Sequence, residues 1–134
     1  MSILRARSFI FICRGWAKLL ELIESKLQEV LNPVYYGSAR DDENITLWNY
    51  IVFWRDSTKR SSNNTSFTDY YSVAIVHENW VPNELIDQTI AQMEAIPGMR
   101  LANSEVGFNY SRKPSTNAVI EIATLTFCMP RKRV

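Results

Sequence analysis

The chain contains one histidine, two cysteines and four glycines in 134 residues, and each scarcity removes a kind of chemistry. His77 alone cannot assemble a zinc ligand set, no Cys-X-X-Cys motif is present to help it, and neighbouring Glu78 points to the other face of a strand. A Ser-His-Asp arrangement lacks its G-x-S-x-G elbow. Gly15, Gly37, Gly98 and Gly107 lie far apart, so no glycine-rich loop cradles a phosphate. Cys13 and Cys128 sit in apolar surroundings near opposite ends, which reads as two buried thiols of an intracellular chain rather than a disulfide. In that compartment the glycosylation-like triplets starting at Asn44, Asn63, Asn64 and Asn109 carry no meaning.

Net charge is also small, at +1, so the molecule as a whole offers nucleic acid no strong field. The apolar run at residues 8–13 (SFIFIC) follows two arginines but falls far short of the roughly 20 residues of a membrane span. It also lacks the cleavage site of a signal peptide, and it reads as a short strand or N-terminal arm. Asp41, Asp42 and Glu43 share one polar loop, whereas a metal nuclease draws carboxylates from several elements. They read as solvated charge. The expectation is a protein that is not an enzyme, with no catalytic, cofactor-binding or metal-binding residues.

What is present is an ordinary globular composition, 46% hydrophobic and 22% charged, in a length that fits one domain. Residues 16–31 carry Trp16, Leu19, Leu20, Ile23, Leu27, Val30 and Leu31 at spacings of three and four, a helix ended by Asn32-Pro33. Residues 34–36 read as a short strand and residues 46–54 as a strong one, apolar or aromatic on both faces, so that both faces are covered. Eleven polar residues, 56–66 (DSTKRSSNNTS), read as a loop or an arm that orders against a neighbour. A strand at 67–76 follows, then a helix opened by Pro82, striped with Leu85, Ile86, Ile90, Met93 and Ile96, and stopped by Pro97-Gly98. Residues 100–112 and 118–128 read as two further strands joined by a turn at 113–117, with a basic tail after Pro130.

The predicted class is therefore α+β, a mainly antiparallel sheet with two helices packed against it, in the order α-β-β-β-α-β-β. Residues 1–15 form an arm or strand, 16–130 a single domain and 131–134 a C-terminal tail.

Two distributions point towards assembly. Trp48, Tyr50, Trp54, Tyr70, Tyr71 and Trp80 crowd two adjacent strands with more aromatic surface than one small core needs, and large aromatics favour interfaces. Charge is segregated as well. Residues 21–94 hold twelve acids against five bases, while the basic C-terminal stretch ends in Arg131, Lys132 and Arg133. Such asymmetry fits electrostatic complementarity between neighbouring copies. Trp48, Tyr50, Trp54, Tyr70, Tyr71, Arg131, Lys132 and Arg133 are the interface candidates. Tyr110 with Arg112 and Lys113, or the basic tail, offers a few phosphate contacts but no recognisable RNA-binding motif.

In order along the chain, LLELIESKLQEVL, VYYG, WNYIVFWRD, YYSVAIVHENWVP, the helix ending IPGMRLA and the closing EIATLTFCMPRK resemble the tail-terminator or tail-completion proteins of long-tailed phages (siphophages) and prophages of Gram-positive hosts. These segments cover most of the chain, from Leu19 to Lys132. The resemblance implies a ring, typically a hexamer, that caps the tail tube, stops its polymerisation and docks it to the head. The implied partners are other copies of the chain, the tail-tube protein and head–tail connector proteins, without membrane contact. The implied location is the virion, at the tail or head–tail junction, after assembly in the host cytoplasm. It brings no active-site residue, and residues 1–15 fall outside it. A head–tail connector (neck) component and a small nucleic-acid-binding module are the alternatives, with passive contact to DNA the easier nucleic-acid role.

Overall fold

A computed structural model describes residues 16–38, 48–62, 66–102, 105–113 and 116–132. Helix α1 (Trp16–Gln28) turns Ile23 and Leu27 fully into the core, with Leu19 and Leu20 packed beside them. It ends three residues before the predicted stop, where Asn32 donates its side-chain N–H to the Gln28 carbonyl at 2.8 Å. Val30 and Leu31 lie beyond the helix but still pack against the core.

Strand β1 (Val34–Tyr36) runs parallel to β2 (Tyr50–Arg60), and β2 pairs antiparallel with β3 (Ser66–Glu78). Gly37, at φ 87°, takes the left-handed conformation that lets the chain leave β1 while its N–H bonds the Phe53 carbonyl. After β3, Pro82 stands at the N-cap of helix α2 (Asn83–Glu94), one residue earlier than the first-turn position predicted for it. The helix stops in a turn from Ile96 to Met99, with proline second and glycine third at φ 87°, the demand of a type II turn. Strands β4 (Arg100–Leu101) and β5 (Gly107–Arg112) then both pair antiparallel with β6 (Val119–Lys132).

The result is α+β, as expected, with one sheet strand more than predicted because 100–112 breaks into two. Sheet order is β1-β2-β3-β6, and β4 and β5 share the far edge of β6. Both helices lie on one face, over Ile51, Phe53, Tyr71, Val73, Ile75, Ala123, Leu125 and Phe127, all buried. The other face carries a second cluster of Tyr50, Val52, Val76 and Ile120, ringed by Tyr35, Trp48, Trp54 and Ile122. This alternation is the two-sided pattern expected for β2.

Thr89 is the one buried residue of α2 outside its apolar stripe, its hydroxyl donating to the Leu85 carbonyl at 2.8 Å. The bond is within the helix, so burial leaves no polar atom unpaired.

Two expectations are corrected here. Residues 56–60 and 66 are not loop but strand, and only the five residues 61–65 separate β2 from β3. Nor does the chain become a tail after Pro130, since β6 continues to Lys132 against Ser66. A proline is tolerated there because β4 begins only at Arg100, opposite Cys128, which leaves Pro130 on an edge. The predicted loop at 39–44, Cys13, the 1–15 arm and Arg133 lie outside the described residues.

Candidate assembly surface

Strands β2, β3 and β6 are 11, 13 and 14 residues long, while the buried residues of β2 and β3 end at Phe53 and begin at Tyr71. The three strands therefore run on past the helices as an arm. The change comes at a bulge: Arg55 pairs with Tyr71 and Ser57 with Tyr70, so Asp56 is the extra residue. A bulge of this kind shifts the alternation of the strand and bends it, which re-aims the polar residues beyond it.

The arm is held by side chains facing one another across the strands. On the helix side, Asp69 accepts from Thr58 Oγ1 at 2.8 Å and from Arg131 Nε at 2.8 Å and Nη2 at 3.2 Å. Arg131 also lies over the Phe67 ring at 4.9 Å, and Arg60 lies over it at 5.9 Å. On the opposite side, Lys59 lies over Tyr70 at 5.0 Å, and Ser72 donates to Asp56 at 3.3 Å. Opposite charges and aromatic–cation pairs set directly or diagonally across a ladder, as Arg131 is to Phe67 and to Asp69, each contribute a few tenths to about 1 kcal/mol. The arm is a built platform.

Partial burial by itself raises the Asp69 carboxyl. The hydrogen bonds from Arg131 and Thr58, with the charges of Arg131 and Arg55, outweigh it and hold the group below the usual aspartate range. A carboxyl depressed in the folded state contributes stability that is complete above its unfolded value, near 3.9, and lost as pH falls through the lower folded value. Acid titration followed by thermal melts should therefore show arm order falling below about pH 4. Asp69→Asn should flatten that part of the profile. A wild-type profile matching that of Asp69→Asn would remove the ladder from the account.

A cleft of about 570 Å³ opens beside the arm, lined by Lys59, Tyr70, Arg100, Asp56 and Cys128 among others. Cys128 is buried and free of any disulfide. Among the described residues no group of three or more His, Cys, Asp or Glu comes together. His77 Nδ1 lies 2.9 Å from the Glu78 carbonyl, and the Glu78 carboxylate pairs with Lys113 at 3.4 Å.

The interface candidates divide. Tyr71 is buried beneath the helices and Tyr50 in the second cluster, and burial pushes both phenols up. Both are core residues of the monomer, so the aromatic excess read from the sequence shrinks once two faces are filled. Trp48 and Trp54 are half-buried around Tyr50, with Trp48 6.2 Å from its ring. Tyr70 and Arg131 belong to the arm, and Lys132 closes its last strand. Three of the bases that could contact nucleic acid are engaged: Lys113 with Glu78, Arg112 with the Asn117 carbonyl and Arg131 with Asp69.

A surface that the sequence reading missed lies at the other end of the sheet. Trp80 is 67% exposed, Tyr110 65% and Phe108 44%. Phe108 stands opposite Ala123 and Tyr110 opposite Glu121, which places both on the helix side of β5. The Glu121 carboxylate accepts the Val81 N–H at 2.7 Å, one residue past Trp80. A hydrogen bond to Glu121, partial desolvation and that group's charge push the Tyr110 phenol up. Glu121 thus ties Tyr110 to the segment that follows Trp80, at the centre of an aromatic corner. Alternation in GFNYSR was the available signal for it.

No family model matches the chain, and no curated protein matches it. Solved structures do match. One is a chain of the virion of a native gene transfer agent (GTA) particle, 10% identical, covering 83% of this chain and 84% of that one at a TM-score of 0.42.

Proposed function

We propose that this chain is a structural virion protein, a tail-terminator or tail-completion subunit that forms a ring on the phage tail tube and docks the tube to the head. It acts by binding, not by catalysis, and it takes no cofactor. The observation that carries the reading is the arm. Three strands extend beyond the domain core with exposed, charged faces, yet cross-strand pairs hold them in one shape.

An ordered projection whose outer residues, Phe67 and Asp69 among them, belong to neither buried cluster is prepared to bind, because the entropy of ordering it is spent before a partner arrives. The order of segments resembling tail terminators supports the same reading. Purified protein added to tail tubes assembled in vitro should halt their lengthening and appear as a cap at one end by electron microscopy. Tubes that lengthen unchanged, with the protein left in solution, would refute the assignment. Binding to isolated connectors but not to tubes would replace it with a neck role.

A further inference from the structure

Arm and aromatic corner lie at opposite ends of the same strands. Thr68, the cross-strand partner of Lys59, and Glu78, two residues before Trp80, are ten residues apart along β3. At about 3.3 Å per residue that is more than roughly 30 Å, so the two surfaces cannot meet within one copy.

Their chemistries are complementary. The arm holds Arg55, Lys59, Arg60, Arg131 and Lys132 against only Asp56 and Asp69, and both of these acids already accept hydrogen bonds within the arm. At the corner Trp80, Phe108 and Tyr110 are exposed, and α2, which opens three residues after Trp80, carries exposed Glu84 and Asp87 and no base along its length, while Lys113 is paired with Glu78 and Arg112 with the Asn117 carbonyl. Exposed aromatic faces and carboxylates are what Lys and Arg side chains bind.

We infer that the basic arm of one copy docks against the aromatic–acidic corner of the next, a head-to-tail contact between different surfaces of the same chain. Such a heterologous contact repeats with each added subunit and closes into a ring when the rotation allows. The inference rests on the ring reading above and specifies which surfaces make it.

Charge reversal tests it. Lys59→Glu with Arg60→Glu reverses the arm, and Glu84→Lys with Asp87→Lys reverses the corner. All four positions are exposed, and thermal melts check that each variant folds. By sedimentation velocity, each double variant alone should self-associate at least about 30-fold more weakly than wild type. Mixed in equal amounts, the two should assemble again, because each reversed arm then meets a reversed corner and each native arm a native one. Trp80→Ala should weaken association without altering the response to mixing.

Wild-type oligomers that the reversals leave unchanged would overturn this contact while sparing the ring. Loss in both variants without recovery on mixing would overturn it as well. A wild-type chain that stays monomeric at every concentration, alone and with the tail-tube protein, would overturn the ring and the contact together.

Discussion

Ile23→Asp should abolish the folded domain: the purified variant is expected to give no cooperative thermal transition and to be degraded by protease at the rate of an unfolded chain. Ile23 is fully buried in α1 against the sheet, in a cluster that includes Ile51, Phe53, Val73 and Leu125. Removing its side chain alone costs about 2–5 kcal/mol, through lost burial and the cavity left behind. Placing a carboxylate there adds the cost of burying a polar group with no partner, several kcal/mol more even after protonation. A domain of this size has a total stability of about 5–15 kcal/mol. The substitution consumes most or all of it. Ile23→Val, which keeps the shape, should cost only about 0.5–1.5 kcal/mol and leave the transition cooperative.

Phe67→Ala combined with Asp69→Ala should leave the domain folded and remove the assembly proposed for it. The pair takes away the ring under Arg60 and Arg131 and the carboxylate that gathers Thr58 and Arg131. Neither residue belongs to either buried cluster, so the near-ultraviolet dichroism of the core should persist. The arm, in contrast, loses the contacts that fix its side chains across β2, β3 and β6. Any partner would then have to order it on binding, at about 0.5–1.5 kcal/mol for each immobilised side chain. Over the arm this amounts to a loss of association on the order of 100-fold. Sedimentation at matched concentrations reads it directly. Association equal to wild type with a folded core would take the arm out of the interface.

The two helices were legible because their apolar residues recur at helical spacing, and Ile23, Leu27, Ile86 and Met93 are buried as that spacing demands. The arm was not. Arg55 to Arg60 are exposed along their whole length, so they carry no apolar alternation to mark a strand. Polar composition there records the absence of a core, not of a sheet. A pattern was nevertheless present in residues 66–70, where Phe67 and Asp69 alternate with Thr68 and Tyr70 across the two faces.

Pro130 read as a stop for a related reason. A proline ends a central strand, and only the late start of β4 makes its position an edge. The parallel pairing of β1 with β2 left no trace in so short a segment.

The site was legible in composition more than in place. Aromatic crowding and segregated charge both point towards assembly, but two of the residues they single out are buried in the monomer. Tyr50 and Tyr71 fill the core, while Phe108 escaped notice and Tyr110 was weighed only for nucleic acid. Folding also redraws the charge map. Arg55, Lys59 and Arg60 come from the acidic middle of the sequence, yet β-pairing sets them beside Arg131 and Lys132 from its basic end. Linear charge counts cannot register that neighbourhood, because it is made by strand partners more than 60 residues apart (Phe67 and Arg131 among them).

Native mass spectrometry of the purified chain, alone and with its tail-tube protein, should show one closed oligomer of defined subunit number that remains intact when it binds the tube. A monomer at every concentration, which also fails to associate with the tube, would contradict the proposed ring.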